Sequence, residues 1–163
     1  MKNKIWNINV LLCQNTNQEV TQIDNVFNKL VVNKDNPYGK FEIITIMNSI
    51  RSTEKKIALY YFMELLDVKH PKVMYLCKSM IKRAPSSDSE FKTSLPGITQ
   101  KNMKMKIDKC FFPQEGNYEV KVYKYDDNEI FDDNGLETKE IVDIIDEAHL
   151  VTVYPFWVSY TKI

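Results

Sequence analysis

The apolar residues of this chain fall on every second position along much of its length, and that spacing limits what it can fold into. In residues 102–108 (NMKMKID), Met103, Met105 and Ile107 alternate with Asn102, Lys104, Lys106 and Asp108. In residues 118–125 (YEVKVYKY), Tyr118, Val120 and Val122 alternate with Glu119, Lys121 and Tyr123. In an extended chain successive side chains point to opposite faces, so a period of two separates one dry face from one wet face. Such strands belong to antiparallel sheets packed on one side only. The intervening FFPQEGN reads as a hairpin turn, with opposite charges on the two wet faces placed to pair across the strands.

The same period recurs elsewhere. Trp6, Ile8, Val10 and Leu12 alternate with Asn7 and Asn9, giving a first strand. Residues 20–32 (VTQIDNVFNKLVV) fit two templates. Val20, Ile23, Phe27 and Leu30 would share a helical face, and Thr21, Ile23, Asn25 and Phe27 would share a strand face. The β-branched content favours one strand. Residues 41–50 place Phe41, Ile43, Thr45 and Met47 together. In residues 57–67, Ile57, Leu59, Tyr61, Met63 and Leu65 alternate with Ala58, Tyr60, Phe62, Glu64 and Leu66. A helix is the rival reading there, but the Tyr-Tyr-Phe cluster and the spacing to the next turn favour a strand, and its two largely apolar faces suit a central one. Residues 73–82 form another strand. Residues 84–100, Ser-rich with Pro85, Pro96 and Gly97, read as a flexible crossover. Residues 137–148 (ETKEIVDIIDEA) predict one short helix with Ile141, Ile144 and Ile145 inward and Glu137 in its first turn, where the helix dipole favours it. The segment from His149 onward is a last strand, and Pro155 marks an edge position or a bulge.

These signals predict a mostly β fold: an antiparallel two-sheet sandwich of about eight strands with one short C-terminal helix. The chain has 163 residues, 44% of them hydrophobic and 27% charged, which fits a single domain over 1–163 and excludes disorder. Its 9 Tyr, 8 Phe and 2 Trp suit pleated, half-buried surfaces.

Charge and motif content exclude several functions. The 22 basic and 22 acidic residues cancel, and Arg51 and Arg83 are the only arginines, so no nucleic-acid partner is expected. The opening MKNKIWNINVLLC has lysines, an apolar run and Cys13, the outline of a lipoprotein signal. Asn7 and Asn9 break the run, and Leu12 occupies the place of the small residue a cleavage site needs, so the segment is assigned to a strand. No run reaches the roughly 18 apolar residues of a membrane span, so no membrane partner is expected. Cys13, Cys77 and Cys110 are far apart and sit in apolar runs, as buried hydrophobes of a reduced, cytoplasmic protein do. His70 and His149 stand beside no nucleophile motif. There is no paired-Cys or His-Glu-x-x-His zinc signature, and the four glycines form no phosphate loop. No cofactor, metal or catalytic residue is assigned.

Two clusters remain. Asp126, Asp127, Asp132 and Asp133, with Asn128 and Asn134, offer the hard oxygen ligands that calcium takes, but not at EF-hand spacing. They are read as a solvated turn. Tyr154, Phe156 and Tyr160 share one strand face and Trp157 the other; core on one side is the expected reading, a ligand-stacking or partner surface is the alternative, and if both faces prove apolar a partner protomer would cover one.

The stretch IDKCFFPQEGNYEVKVYKYDD carries a resemblance through Phe112, Gly116 and Tyr118, a Phe-x-x-x-Gly-x-Tyr pattern between alternating strands. Together with Asn25 to Phe27 in the early IDNVFNKLVV segment, it resembles a family of uncharacterised bacterial β-sandwich domains of Ig-like or C2-like form. The resemblance implies a fold and no chemistry. Lys- and Asn-rich usage fits an AT-rich bacterial or phage genome. The expectation is a non-enzymatic protein-interaction or binding module that engages a protein partner or self-associates. The alternatives are a phage or mobile-element inhibitor that occludes a host protein, and an enzyme with an unrecognised site.

Overall fold

The computed structural model describes residues 6–16, 23–50, 56–82 and 98–161. The fold is mostly β, and its strands form two sheets facing each other. The strands are β1 (Trp6–Thr16), β2 (Ile23–Val26), β3 (Lys29–Asn33), β4 (Tyr38–Ile50), β5 (Lys56–Leu65), β6 (Lys72–Lys82), β7 (Ile98–Phe111), β8 (Gly116–Asp126) and β9 (Leu150–Thr161). The four-stranded sheet runs β2-β1-β4-β7, and the five-stranded sheet runs β3-β9-β8-β5-β6.

The alternating residues do what their period requires. Ile8, Val10 and Leu12 of β1 and Phe41, Ile43 and Met47 of β4 point into the gap between the sheets. Ile57, Leu59, Tyr61 and Met63 of β5 meet them from the other side, with Val120, Val122, Phe156 and Val158. One polar pair crosses this core: Thr45 Oγ1 and the Tyr61 hydroxyl lie 2.6 Å apart, each satisfying the other. Burial pushes the Tyr61 hydroxyl well above its ordinary pKa, although the Thr45 contact works the other way.

As its two apolar faces predict, β5 is interior and buried on both sides. Its second face, Ala58, Tyr60 and Phe62, packs with Tyr123, Tyr125, Ile130 and Ile144. Ile130 and Ile144 belong to an excursion between β8 and β9 that lies over this face. It contains α1 (Asp127–Ile130), α2 (Ile141–Ile144) and a 3-10 turn, Glu147–His149. The helix expected over 137–148 is therefore one α turn and one 3-10 turn. Only Ile144 of its three isoleucines is buried, while Ile141 and Ile145 are exposed. Each helical piece is a single turn, too short to present a continuous apolar stripe.

Three pairings differ from the sequence expectation. Residues 23–33 form two strands in different sheets: β2 keeps its register with β1 through Asn25, whose φ is 56°, as far as Val26, and the chain passes to the other sheet between Val26 and Lys29. Asn tolerates that conformation better than most residues. β7 and β8 are not a hairpin: β7 pairs with β4, and β8 pairs with β5 and β9. The segment between them arches from one sheet to the other, so their wet faces never meet. Lys121 instead pairs with Glu64 at 2.5 Å. The arch is fixed by a tyrosine corner, with the Tyr118 hydroxyl donating to the Gln114 carbonyl at 2.5 Å. Lastly, the sheets are not wholly antiparallel, because β3 pairs with β9 in parallel.

Pro155 lies in β9, an interior strand, yet the pairing with β3 starts only at Trp157. The Trp157 N–H points towards β3 and donates to the Asn28 carbonyl at 2.8 Å. Two residues earlier on the same lateral side, Pro155 sits where β9 is locally an edge and has no N–H to satisfy. Residues 84–97 of the expected flexible crossover lie outside the described residues.

Candidate functional site

The two long sides of the sandwich are built differently, and the candidate site lies on the looser one. β6 is the outer strand of the five-stranded sheet and β7 the outer strand of the four-stranded sheet. They face each other without a backbone ladder between them. Alternation brings Met103 and Met105 inward from β7, and the contacts they make are soft. The Cys77 thiol donates to the Met105 thioether at 3.5 Å, and the Ser79 hydroxyl lies 3.8 Å from the Met103 sulfur. Deeper in, the Cys110 thiol lies 3.8 Å from the Met63 sulfur.

Towards the start of β6 this seam opens into a cavity of about 430 Å3, lined by Met63, Leu65, Lys72, Val73, Met74, Phe111, Pro113 and Tyr118. That volume falls inside the roughly 300–1,000 Å3 of ordinary ligand pockets. The ladder explains the lining. Met63 pairs with Met74, and Leu65 stands between Lys72 on β6 and Tyr118 on β8. The arch after β7 brings Phe111 and Pro113 over that corner. A bulge at Leu76 separates these first rungs of β6 from the rest, since Tyr61 pairs with Cys77 while Phe62 pairs with Tyr75.

The cavity wall is apolar apart from Lys72 and the Tyr118 hydroxyl. That hydroxyl is already engaged by Gln114, and burial pushes its pKa up to about 12. The neighbouring thiols are equally inert. Burial raises Cys77 to about 11 and Cys110 to about 12, so neither presents a thiolate. None of the lining residues is a carboxylate, a histidine or a cysteine.

The residues singled out from sequence are dispersed. Asp132 Oδ1 accepts the N–H groups of Asn134 and Leu136, Asp126 pairs with Lys124 at 3.1 Å, and Asp127 faces Lys56 at 3.7 Å. The acidic residues thus organise their own turn. Among the described residues no three His, Cys, Asp or Glu side chains gather where a metal ion could be held. His70 is exposed. His149 stacks on Tyr125, with ring centroids 4.0 Å apart, and bridges Glu129 at 2.8 Å and Asp146 at 3.1 Å. Burial pushes the Glu129 carboxyl up, but hydrogen bonds from His149 and the Asp126 N–H outweigh it and hold it below the usual range. The Ala148 N–H, then His149, hold Asp146 low as well. This knot fastens the excursion to the sheet.

Of the C-terminal aromatics, Phe156 is buried, while Tyr154 and Tyr160 are half-buried and donate to the carbonyls of Phe27 and Phe112, both at 2.5 Å. Trp157 points outward and is 41% exposed. The cavity residues escaped the sequence because they come from four separate segments. The one available signal was the methionine alternation of β7, which marks a dry face without naming what it faces.

No protein-family model matches the sequence, and no curated protein matches it. Solved structures do match. A mutant beta-glucosidase from Listeria innocua in complex with laminaribiose aligns with a TM-score of 0.48 and 8% identity, over 96% of this chain and 16% of that chain. The beta-glucosidase from the same organism in complex with isofagomine gives 0.47 and 8%, over 96% and 16%. Its complex with gluconolactone gives 0.42 and 9%, over 95% and 17%. This chain spans about one sixth of the length of those chains, and a likeness of that size carries no activity across.

Proposed function

We propose that the protein is a non-enzymatic binding module that takes an apolar ligand between β6 and β7, the outer strands of the two sheets. The observation that carries this is the cavity itself: about 430 Å3, apolar on nearly every side, beside a seam where Cys77 and Ser79 of β6 meet the methionines of β7. Its lining holds no serine, threonine, cysteine, histidine or carboxylate beside Lys72, a composition that suits holding a guest. The three free cysteines fit a reducing compartment such as the cytoplasm. Titration with the neutral fluorophore N-phenyl-1-naphthylamine tests the reading. Saturable one-site binding, lost in Met74→Trp, is expected. Absence of saturable binding to the folded protein overturns it.

A second reading, self-association or capture of a protein, has its own support. Val31, Val151, Val153 and Trp157 are exposed on the outer side of β3 and β9. Apolar residues gathered on one sheet face mark interaction surfaces. Light scattering over a concentration series checks it: a dimer dispersed by Trp157→Lys supports it, and a monomer at every concentration removes self-association.

A further inference from the structure

The chemistry of the cavity specifies its ligand more narrowly than "apolar". Lys72 is the single charged residue in the lining, and it stands at the end of the β6 rung that pairs with Leu65. Among the described residues no carboxylate pairs with it. The other polar group, the Tyr118 hydroxyl, donates to the Gln114 carbonyl and accepts from the Gln114 N–H at 3.4 Å, so it has no second proton to give an anionic guest. A ligand in this cavity therefore meets, among the described residues, the Lys72 ammonium at the rim and an otherwise apolar interior.

The interior suits a flexible chain. Met63 and Met74 face each other across the β5–β6 ladder, and thioether side chains re-pack around irregular guests at little cost. Phe111 and Pro113 close the side opposite Lys72's strand, from the arch between the sheets.

We infer, building on the binding reading above, that the cavity takes a single-chain anionic amphiphile: an unbranched hydrocarbon body among Met63, Leu65, Met74 and Phe111, with one carboxylate on Lys72. A neutral chain of equal length would bury the same apolar area and leave the ammonium without a partner. A cationic chain would bring like charge to the rim. A charge-assisted contact is worth roughly twice a neutral one.

Displacement of bound N-phenyl-1-naphthylamine by dodecanoate, dodecanol and dodecyltrimethylammonium tests this below their micelle concentrations. Dodecanoate is expected to displace the probe at about tenfold lower concentration than dodecanol, a difference of about 1.4 kcal/mol. The cation should compete worst. In Lys72→Gln, a surface change that leaves the core intact, dodecanoate should fall to the level of dodecanol while dodecanol is unchanged. Equal competition by all three, or a dodecanoate preference that survives Lys72→Gln, overturns the inference and leaves the binding reading standing. A probe that never binds the folded wild type removes both.

Discussion

The sandwich has a closed side and an open side, and they are held by different forces. On the closed side the chain itself passes from sheet to sheet at Phe27. Its N–H donates to the Leu12 carbonyl at 3.1 Å, and its own carbonyl accepts from Tyr154. The Phe27 ring meets Phe41 and Phe156 edge-on, at 6.2 and 6.3 Å. On the open side β6 and β7 share sulfur contacts of 3.5 and 3.8 Å and then separate around the cavity. Backbone hydrogen bonds and locked aromatic edges give one geometry. Thioether contacts are soft and permit several. The difference shows where a two-sheet protein can place a ligand without weakening the joint that defines its fold.

That contrast yields graded expectations. Phe156→Ala should cost about 3–5 kcal/mol in chemical denaturation, as aromatic truncation in a packed core does, whereas half-buried Met105→Ala should cost at most about 2. Equal losses would mean the open side is as tightly packed as the closed one. Gly116→Ala is next, at about 1–3 kcal/mol. Gly116 opens β8 at φ 145°, and an added Cβ would lie 2.7 Å from Asp67 Oδ2. A thermal melt unchanged by that substitution would show that the arch bounding the cavity is pliable. Tyr154→Phe removes one hydroxyl from the closed side and should cost about 1 kcal/mol. Thiol labelling at neutral pH should be slow everywhere, with half-buried Cys77 reacting before the buried Cys13 and Cys110. Labelling of Cys13 first would reverse the assignment of the loose side.

Acid separates both sides from the excursion. Glu129 and Asp146 have lowered pKa values in the folded protein, so their stabilisation is complete above the ordinary carboxylate range near about 4 and is lost as pH falls through the lower folded values. Hydrogen exchange in the 127–149 segment should accelerate there while the two apolar seams keep their protection. Simultaneous loss throughout would show that the segment unfolds only with the whole.

Much of the strand pattern was legible because alternation is local. The two apolar faces of β5 announced an interior strand, and the inward trio Tyr154, Phe156 and Tyr160 separated correctly from Trp157. Pairing was not legible. The FFPQEGN segment has turn chemistry whether it folds back within a sheet or arches to the other, and only the distant partners of β7 and β8 decide. The change of sheet between Val26 and Lys29 left no local signal, because the apolar alternation runs on across it. The exposed Ile141 and Ile145 show the opposite error, in which helical spacing was too short to set a buried face. The cavity depends on which edges face each other, a long-range property that no local window contains.

The bond between Tyr154 and Phe27 spans 127 residues. At about 5–20 residues per second of synthesis, roughly 6–25 s pass between the emergence of Phe27 and that of its partner. Throughout that interval β3 lacks its ladder partner β9, which follows it by more than a hundred residues. A ribosome that pauses before β9 therefore holds a sheet whose β3 and β8 still lack the strand that lies between them.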